Sequence, residues 1–316
     1  MHAALVSDYA KPPQYLEFPD PIPEQGEALI QVRAAGLHPI VKGLASGTHY
    51  ASGGKLPMVP GIDGVGTLED GRRVYFGFAR KPWGTMCERT VAPRIRCLPL
   101  PDGIDDLQAA AIANPGMSAW LSLRDRAELK AGETVLVLGA TGVAGHLAIQ
   151  VARSLGAKRV IGAGRNVASL EGENLDAVIA LGQSDDEVRA AFLREAERGI
   201  DVVIDYLWGR PTELLLEALA KGFNPTVARS TRLVEVGESA GKTINLPGAT
   251  LRSIDLKVLG SGFGSVDLER VLGAIPELFR RAAAGALRVD VEAVPLAQVE
   301  SAWNRIEKAR RLVFVP

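Results

Sequence analysis

The sequence predicts an α/β protein in which a doubly wound parallel sheet is combined with a separate β-rich domain. Over about the first 110 residues, short apolar runs lie between Pro and Gly clusters, a pattern typical of short strands joined by turns. From Thr134 onward, apolar runs alternate with longer helical patterns, which is the order of βαβ units. The length of 316 residues suits about two domains of ~150 residues each.

The composition describes an ordinary globular protein and excludes several classes of partner. Hydrophobic residues make up 47% and charged residues 23% of the chain, and the formal net charge is -1. This balance supplies no positive field for nucleic acid or an anionic membrane. No apolar run approaches the ~20 residues of a membrane span, and the N-terminus lacks a secretory-signal pattern. We therefore expect a cytoplasmic protein with no nucleic-acid or membrane partner.

The predicted elements carry boundary signals of their own. Ser184 and Glu187 form a capping-box pattern that opens a helix, and Gly199 closes that helix. The last segment of the chain has a strand, helix, strand pattern, and its final strand has no nearby segment to pair with. We therefore expect that strand to return to the N-terminal β domain. The six predicted strands of the parallel sheet are 135–138, 159–163, 178–181, 201–205, 232–236 and 257–259.

A glycine-rich turn between the first of these strands and an amphipathic helix predicts a dinucleotide site. Its spacing is GxxGxxG, and its position between strand and helix makes the signal stronger than the glycines alone would. A pyrophosphate needs a turn without Cβ atoms and the backbone amides of a helix N-terminus. Gly139 and Gly142 suit the turn, while Gly145 allows close packing of the helix on the strand. The alternative is a tight turn without ligand. The turn residues predicted to bind the cofactor are Gly139, Ala140, Thr141, Gly142, Val143 and Gly145.

The end of the second predicted strand favours NADPH over NADH. An acidic side chain ~20 residues beyond the turn would bind the ribose 2′-hydroxyl of NAD, but this segment reads Gly164, Arg165, Asn166 and contains no carboxylate. Arg165 offers a guanidinium fork for a 2′-phosphate. The alternative is a solvated loop arginine.

With these motifs in their order, the chain resembles the medium-chain dehydrogenase/reductase superfamily and, within it, the zinc-independent quinone oxidoreductase-like branch. The resemblance runs through AAGLHPIVKG, GKLPMVPGIDGVG, WGTMCERTVAP, NPGMSAWLSL, GATGVAG, RLVEVGESAG and the ending PLAQVESAWNRIEKARRLVFVP. It implies a GroES-like catalytic domain at 1–112, completed by 263–316, and a Rossmann domain at 113–262. It also implies a substrate cleft where the two domains meet.

The positions of zinc ligands in zinc-dependent members predict no metal in this chain. By the resemblance, the first ligand position holds His38, the second Ile62 and the third, approximately, Asn114. An isoleucine cannot bind a metal, and the four-cysteine lobe of a structural zinc is missing. We interpret His38 with Asp63 as a cleft polar pair or a satisfied histidine rather than a metal remnant.

Without a Lewis acid, hydride transfer to a quinone or an α,β-unsaturated carbonyl is the expected chemistry, followed by protonation. Tyr50 matches a cleft tyrosine of quinone-reductase relatives, where it could polarise the carbonyl or relay a proton, or simply pack against substrate. His49 is an alternative proton donor. Asn114 and Ser118 lie where relatives approach the nicotinamide.

Further predicted contacts follow the later strands of the sheet. A doubly wound sheet binds its ligand at the carboxyl ends of its strands. Asp205 and Tyr206 fall near the path of the cofactor, with their structural and functional roles left open. The sixth strand is a candidate edge for a homodimer, as in relatives. The residues predicted to contact the nicotinamide side are Val236, Gly237, Ser261, Gly262 and Phe263.

The sequence thus predicts an NADPH-dependent reductase of small-molecule quinones or α,β-unsaturated carbonyls. Two alternatives stay open. The first is an enoyl-thioester reductase, which would need positive charge for a phosphorylated acyl carrier. The second is a non-catalytic NADPH-binding sensor, because the chain has no obligatory acid, nucleophile or metal. The basic residues that could form the carrier patch are Arg72, Arg73, Arg80 and Lys81.

Overall fold

A computed structural model describes residues 1–53, 55–222, 230–262, 264–305 and 310–316. The chain forms two compact units, of which the first comprises Met1–Pro115 with Ile275–Pro316 and the second comprises Gly116–Ala274. The domain boundaries predicted from the sequence, at 112/113 and 262/263, stay a prediction.

The elements of the first half of the chain are mainly short strands, followed by one long helix. They are β1 (His2–Leu5), β2 (Gln14–Glu17), β3 (Glu27–Gly36), α1 (Pro39–Ala45), β4 (Asp63–Leu68), β5 (Arg73–Gly77), β6 (Arg89–Pro93), β7 (Cys97–Pro99) and α2 (Asp106–Trp120). A π-helical segment, Leu121–Arg126, follows α2 directly.

From Thr134 onward, strands and helices alternate as predicted. The elements are β8 (Thr134–Leu138), α3 (Val143–Ser154), β9 (Arg159–Gly164), β10 (Ala177–Ala180), α4 (Asp185–Arg198), β11 (Val202–Asp205), α5 (Gly209–Lys221), β12 (Ser230–Glu235), α6 (Gly248–Ser253), β13 (Asp255–Gly260), α7 (Leu268–Ala283), β14 (Asp290–Pro295), α8 (Val299–Ala302) and β15 (Arg310–Val315). None of the helices within the described ranges is long and apolar enough to cross a membrane.

The first unit is built on a sheet with the strand order β14-β15-β3-β4-β5-β7, and β6 also pairs with β3. In β3 the side chains of Ala28, Ile30 and Val32 alternate into the core, as expected for a strand with one buried face. The final strand β15 runs antiparallel to β3, pairing Phe314 with Ala35. The predicted return of the C-terminal strand to the N-terminal β structure is therefore confirmed.

The second unit contains a six-stranded parallel sheet with the order β10-β9-β8-β11-β12-β13. This is the doubly wound order 3-2-1-4-5-6. The first three strands are added toward one side of the sheet and the last three toward the other, so the switch point lies between β8 and β11. Each of the six predicted strands begins and ends within 2 residues of an observed one. The predicted capping box is confirmed too, since Ser184 and Glu187 cap each other at the start of α4.

Candidate functional site

The carboxyl ends of five adjacent strands lie level with one another at one edge of the six-stranded sheet. Leu138 of β8 pairs with Ala163 and with Asp205, Asp205 pairs with Glu235, and Glu235 pairs with Gly260. Each segment that follows one of these strands therefore starts at the same edge. Phe263, which was predicted to belong here, lies outside the described residues. The predicted cofactor residues that this edge brings together are Gly139, Ala140, Thr141, Gly142, Val143, Gly145, Gly164, Arg165, Asn166, Val236, Gly237, Ser261 and Gly262.

The glycine-rich turn presents helix-terminal amides at this edge. Gly139 has a φ of +86°, and the amides of Gly139 and Ala140 donate to the Ala163 carbonyl at 2.9 and 3.0 Å. Gly142 is the N-cap of α3 and has no side chain to cap the helix. The first helical bond runs from the His146 amide to the Gly142 carbonyl at 2.9 Å. The three amides between these two residues are therefore left for a ligand, as an anion site requires.

Gly145 and Gly164 are needed for packing. A Cβ on Gly145 would lie 2.3 Å from the Gly139 carbonyl oxygen and 2.6 Å from the Cα of Ala140, so the predicted close approach of helix and strand is confirmed. A Cβ on Gly164 would lie 2.3 Å from Cγ2 of Thr141. The glycine at the end of β9 thus makes room for the turn.

Arg165 and Asn166 follow β9 and are exposed. Within the described ranges, none of the ion pairs involves Arg165. No carboxylate stands at this strand end, where a dinucleotide site for NAD would place one. The guanidinium is therefore available to a phosphate.

Asp205 has a structural role at the end of β11. Its buried Oδ1 accepts from the amides of Leu207 and Trp208 at 2.8 and 2.9 Å, and its Oδ2 accepts from the Thr212 hydroxyl at 2.5 Å. Burial raises the pKa of Asp205, and these hydrogen bonds oppose that effect. Trp208 has a φ of 55°, a conformation uncommon for a non-glycine residue. The carboxylate therefore fixes the turn from β11 into α5.

The segments after β11, β12 and β13 are tied to one another through the backbone. The Asp205 carbonyl accepts from the amides of Val236 and Gly237 at 2.8 and 3.2 Å, and the Ser261 amide donates to the Glu235 carbonyl at 2.8 Å. Burial and the nearby negative charge of Asp205 raise the pKa of Glu235. The predicted nicotinamide side is thus a set of mutually bonded loops.

Ser118 and Asn114 lie one turn apart on α2, and both are half-buried. Burial raises the pKa of the Tyr206 hydroxyl, and the nearby Ser118 side chain partly opposes this. Within the second unit, the predicted cofactor residue Ser118 therefore lies near the residue that follows β11.

His49 and Tyr50 lie in the first unit, between α1 and β4. Their rings are 4.2 Å apart at the centroids with an interplanar angle of 31°, and Tyr50 is 73% exposed. Nδ1 of His49 accepts from the Ala51 amide at 3.1 Å, so the neutral ring carries its proton on Nε2. The structure places the two candidate proton donors side by side, and their catalytic roles stay predictions.

His38 and Asp63 belong to a buried polar cluster in the same unit, which we call the unit-1 polar cluster (His38, Asp63, Tyr75 and Arg311). Nε2 of His38 lies 3.5 Å from Oδ1 of Asp63, and the Tyr75 hydroxyl donates to Oδ2 of Asp63 at 3.1 Å. Arg311 donates from Nη1 to the Leu37 carbonyl at 2.8 Å. The predicted polar pair is therefore part of a larger group.

The side chains of the unit-1 polar cluster have shifted pKa values because they are buried. Burial raises the pKa of Asp63 to about 7, while Tyr75 and Arg311 oppose the rise. Burial and the charge of Arg311 hold the pKa of His38 well below its ordinary value. Burial also lowers the pKa of Arg311 to about 10. At neutral pH, His38 is therefore uncharged beside a carboxyl that is partly protonated.

Sequence reasoning missed Tyr75, Arg311 and Thr212. Thr212 could have been found, because a hydroxyl in the first turn of a predicted helix follows an acid at a strand end by seven positions. Tyr75 and Arg311 left no such local signal, since they lie on other strands of the sheet than Asp63.

The positions that hold zinc ligands in zinc-dependent members do not form a set of metal-binding side chains in the described part of this chain. Ile62 is half-buried directly before β4. In the part of the chain that the structure describes, no group of three His, Cys, Asp or Glu side chains could hold a metal. Cys87 is no thiolate donor, because burial raises the pKa of its thiol to about 12.

The basic side chains considered for a phosphorylated carrier are engaged with partners on the protein. This corrects the idea of a free positive patch. The contacts are Arg72 with Asp70 at 2.7 Å, Arg73 with Asp106 at 2.6 Å, Arg80 with Glu27 at 2.9 Å, and Lys81 with the Gly53 carbonyl at 2.7 Å.

The doubly wound sheet and its glycine turn define a Rossmann-type dinucleotide-binding protein, and comparisons with known proteins narrow this class. A scan against models of protein families finds no match. A probable NADPH-dependent quinone reductase of Emericella nidulans is 30% identical, and the match covers 100% of both proteins. The quinone oxidoreductase of Homo sapiens is 31% identical over 74% of each protein.

A solved structure agrees with these relatives. The quinone oxidoreductase of Thermus thermophilus, whose structure was also determined in complex with NADPH, is 28% identical and superimposes with a TM-score of 0.81 over 100% of both chains. The chain belongs to the quinone oxidoreductase-like branch of the medium-chain dehydrogenase/reductase superfamily. The predicted fold class, a Rossmann sheet with a GroES-like β-rich domain, is confirmed.

Proposed function

We propose that this protein is an NADPH-dependent oxidoreductase that reduces quinones or α,β-unsaturated carbonyls by direct hydride transfer without zinc. One observation carries the proposal. The segment with the helix-terminal amides after Gly142 and the segment with the exposed Arg165 both begin at the same edge of the sheet. One feature suits a pyrophosphate and the other a 2′-phosphate. The named activities of the relatives in Emericella nidulans and Thermus thermophilus support the same cofactor and substrate class.

The residues of this chain divide the work of holding the cofactor. The α3 amides bind the pyrophosphate, and Arg165 with Asn166 binds the 2′-phosphate. The bonded backbone around Val236, Gly237 and Ser261 orients the nicotinamide. Bound NADPH supplies the hydride. The protein contributes binding, orientation and the exclusion of water.

A proton donor completes the reduction, because the product of hydride transfer is an enolate or a phenolate. His49 suits this role, since its Nδ1 accepts from a backbone amide and leaves a proton on Nε2. Tyr50, stacked beside it, can donate a hydrogen bond to the carbonyl oxygen of the substrate. Asn114 offers an amide for the substrate or the carboxamide of the cofactor. Replacing His49 with Gln is expected to lower kcat, because an amide side chain cannot release a proton to the enolate, and an unchanged kcat would exclude His49 as the donor.

The side chains at the zinc-ligand positions support zinc independence. Ile62 replaces a ligand, and the neutral His38 is enclosed with Asp63, Tyr75 and Arg311. Purified protein is expected to contain zinc far below one ion per chain by elemental analysis, and activity is expected to survive chelators. A stoichiometric zinc would contradict this part of the proposal.

The two alternatives are separated by one assay. Stopped-flow measurement of NADPH oxidation against simple quinones, enones and acyl thioesters is expected to show turnover with the first two. Turnover with acyl thioesters alone would favour the enoyl-thioester reductase, which the engaged basic side chains do not support. Tight NADPH binding with no turnover would favour the sensor.

We further propose a cytoplasmic homodimer that pairs through β13. This strand is an edge of the six-stranded sheet, and Val258 on it is 41% exposed. Both cysteines are free thiols, as expected in a reducing compartment. Light scattering is expected to give twice the chain mass for the parent and the chain mass for Val258→Lys. An unchanged mass in that variant would argue against β13 as the interface.

A further inference from the structure

The connection between β9 and β10, which begins with Arg165, is fastened near its far end to the cofactor helix. Nδ1 of His146, in the first turn of α3, lies 2.6 Å from Oε1 of Glu173. The side chains are only 14% and 22% exposed. Because a carboxylate can only accept, His146 donates this bond. A largely buried charge-assisted hydrogen bond of this length is a strong fastening.

The fastening reaches the phosphate segment through a series of backbone turns. Three amides, on alternate residues, each donate to the carbonyl three positions earlier, and the Ser169 hydroxyl reinforces the first turn with a 2.7 Å bond to the Asn166 carbonyl. The backbone from Asn166 to Glu173 is therefore one connected unit. The amide bonds are Ser169 to Asn166 at 3.1 Å, Glu171 to Ala168 at 3.3 Å, and Glu173 to Leu170 at 3.1 Å.

The near end of the same segment is held by the sheet. Gly164 is the last residue of β9, and its carbonyl accepts from the Leu181 amide at 2.9 Å. Arg165 therefore lies between two fixed points, one in the sheet and one on α3. With the His146–Glu173 bond removed, the segment would be held by the sheet, at Gly164 and Asp176, and by the buried side chain of Leu170, but not by α3.

We propose that His146 and Glu173 are positioning residues for cofactor selection, because their hydrogen bond holds the Arg165 segment in register with the N-terminus of α3. This inference rests on the proposed function, in which Arg165 binds the 2′-phosphate of NADPH. Neither side chain of the pair needs to touch the cofactor. The effect of the pair is to set the distance between the site of the pyrophosphate and the site of the 2′-phosphate.

Arg153 offers a matched control on the same face of α3. It lies seven residues after His146, two helical turns away, and donates to the Asn174 carbonyl at 2.9 Å and to Asp176 at 2.5 Å. The Asp176 amide is also bonded to the Val160 carbonyl at 2.9 Å, where β10 begins its pairing with β9. The sheet therefore already fixes the residues that Arg153 holds. Losing Arg153 removes an equivalent contact without releasing the phosphate segment.

The test compares the dissociation constants of NADPH and NADH for full-length variants, measured by calorimetry. His146→Ala and Glu173→Ala are expected to weaken NADPH roughly tenfold, the order of one charge-assisted hydrogen bond, while NADH changes little. Arg153→Ala is expected to leave the ratio of the two constants unchanged. His146→Asn is expected to restore the ratio, because the amide nitrogen of Asn takes the place of Nδ1. Hydrogen exchange of 166–173 is expected to rise in the two alanine variants alone.

Arg165→Ala, measured alongside, separates the inference from the function on which it rests. If Arg165→Ala loses NADPH selectively and His146→Ala does not, the positioning role is wrong and the proposed function stands. If His146→Ala weakens NADPH and NADH equally, the pair is merely structural and the inference is overturned. If Arg165→Ala weakens both cofactors equally, the 2′-phosphate assignment itself fails.

Discussion

Two glycines three residues apart in the turn after β8 are expected to respond in opposite ways to the same substitution. A Cβ on Gly145 would meet backbone atoms alone, at 2.3 Å from the Gly139 oxygen and at 2.6 and 2.7 Å from atoms of Ala140. A Cβ on Gly142 would meet only the Gly139 oxygen, at an ordinary 3.6 Å. Gly145→Ala therefore tests the packing of α3, and Gly142→Ala tests the cofactor site.

The size of the Gly145→Ala effect follows from these distances. Ordinary contact begins near 3.4 Å, so α3 must move by about 1 Å. Overpacking of this kind costs roughly 3 kcal/mol, and the higher helix propensity of Ala returns about 1 kcal/mol. A net loss of about 2 kcal/mol lowers the melting temperature by roughly 4–8 °C for a unit of this size.

Gly142→Ala is expected to melt within about 2 °C of the parent, since its φ of -94° suits any residue and the new methyl meets no clash. The same methyl enters the space that a pyrophosphate would occupy and weakens NADPH roughly tenfold or more. Circular dichroism melts and NADPH titrations measure the two effects. Equal destabilisation by both substitutions, or an unchanged melting temperature for Gly145→Ala, would refute the division of roles.

Other positions give three further tests. Arg165→Ala is expected to raise the KM for NADPH roughly tenfold or more while the KM for NADH changes less than about threefold, and equal changes would contradict phosphate recognition. Asp205→Ala leaves two amides and the Thr212 hydroxyl unsatisfied, so chemical denaturation should show a loss of roughly 3 kcal/mol, with a near-parental value excluding the anchoring role. Asp63 has a pKa of about 7 in the folded chain against 3.8 as the ordinary value, so its stabilisation is complete below about pH 4 and is lost as the pH rises through about 7. The fall in melting temperature between pH 5 and pH 8 should therefore be smaller in Asp63→Asn, and an equal fall would exclude Asp63 as its source.

The parallel sheet could be predicted because its signals are local. Apolar runs, helix caps such as Ser184 with Glu187, and the glycine turn all operate within a few residues of the chain. The role of Gly145 was readable for the same reason, since its neighbours Gly139 and Ala140 precede it by one turn. The packing of Gly164 against Thr141 was not readable, because it depends on the alignment of β8 with β9.

The unit-1 polar cluster could not be predicted for a related reason. Asp63 and Tyr75 belong to adjacent antiparallel strands, but Arg311 lies on β15, which pairs with β14 and β3 and not with β4. Sequence separation hides the charge interaction between Arg311 and Asp63, and no local pattern distinguishes a buried arginine from the exposed Arg310 beside it. The resemblance located His38 and Asp63 but gave no information on what else surrounds them.

The two ends of the cofactor site differ in how firmly the fold holds them, and this difference predicts where selectivity can change. On the predicted nicotinamide side, the Asp205 carboxylate and carbonyl together accept five hydrogen bonds, so a substitution there disturbs the fold. On the phosphate side, Arg165 and Asn166 are exposed and held only through their neighbours. Substitutions at Arg165 should therefore alter the choice of cofactor at little cost in stability. The same exposure gives a fastening like that between His146 and Glu173 a role, because the sheet bonds the connection only at its two ends, at Gly164 and Asp176.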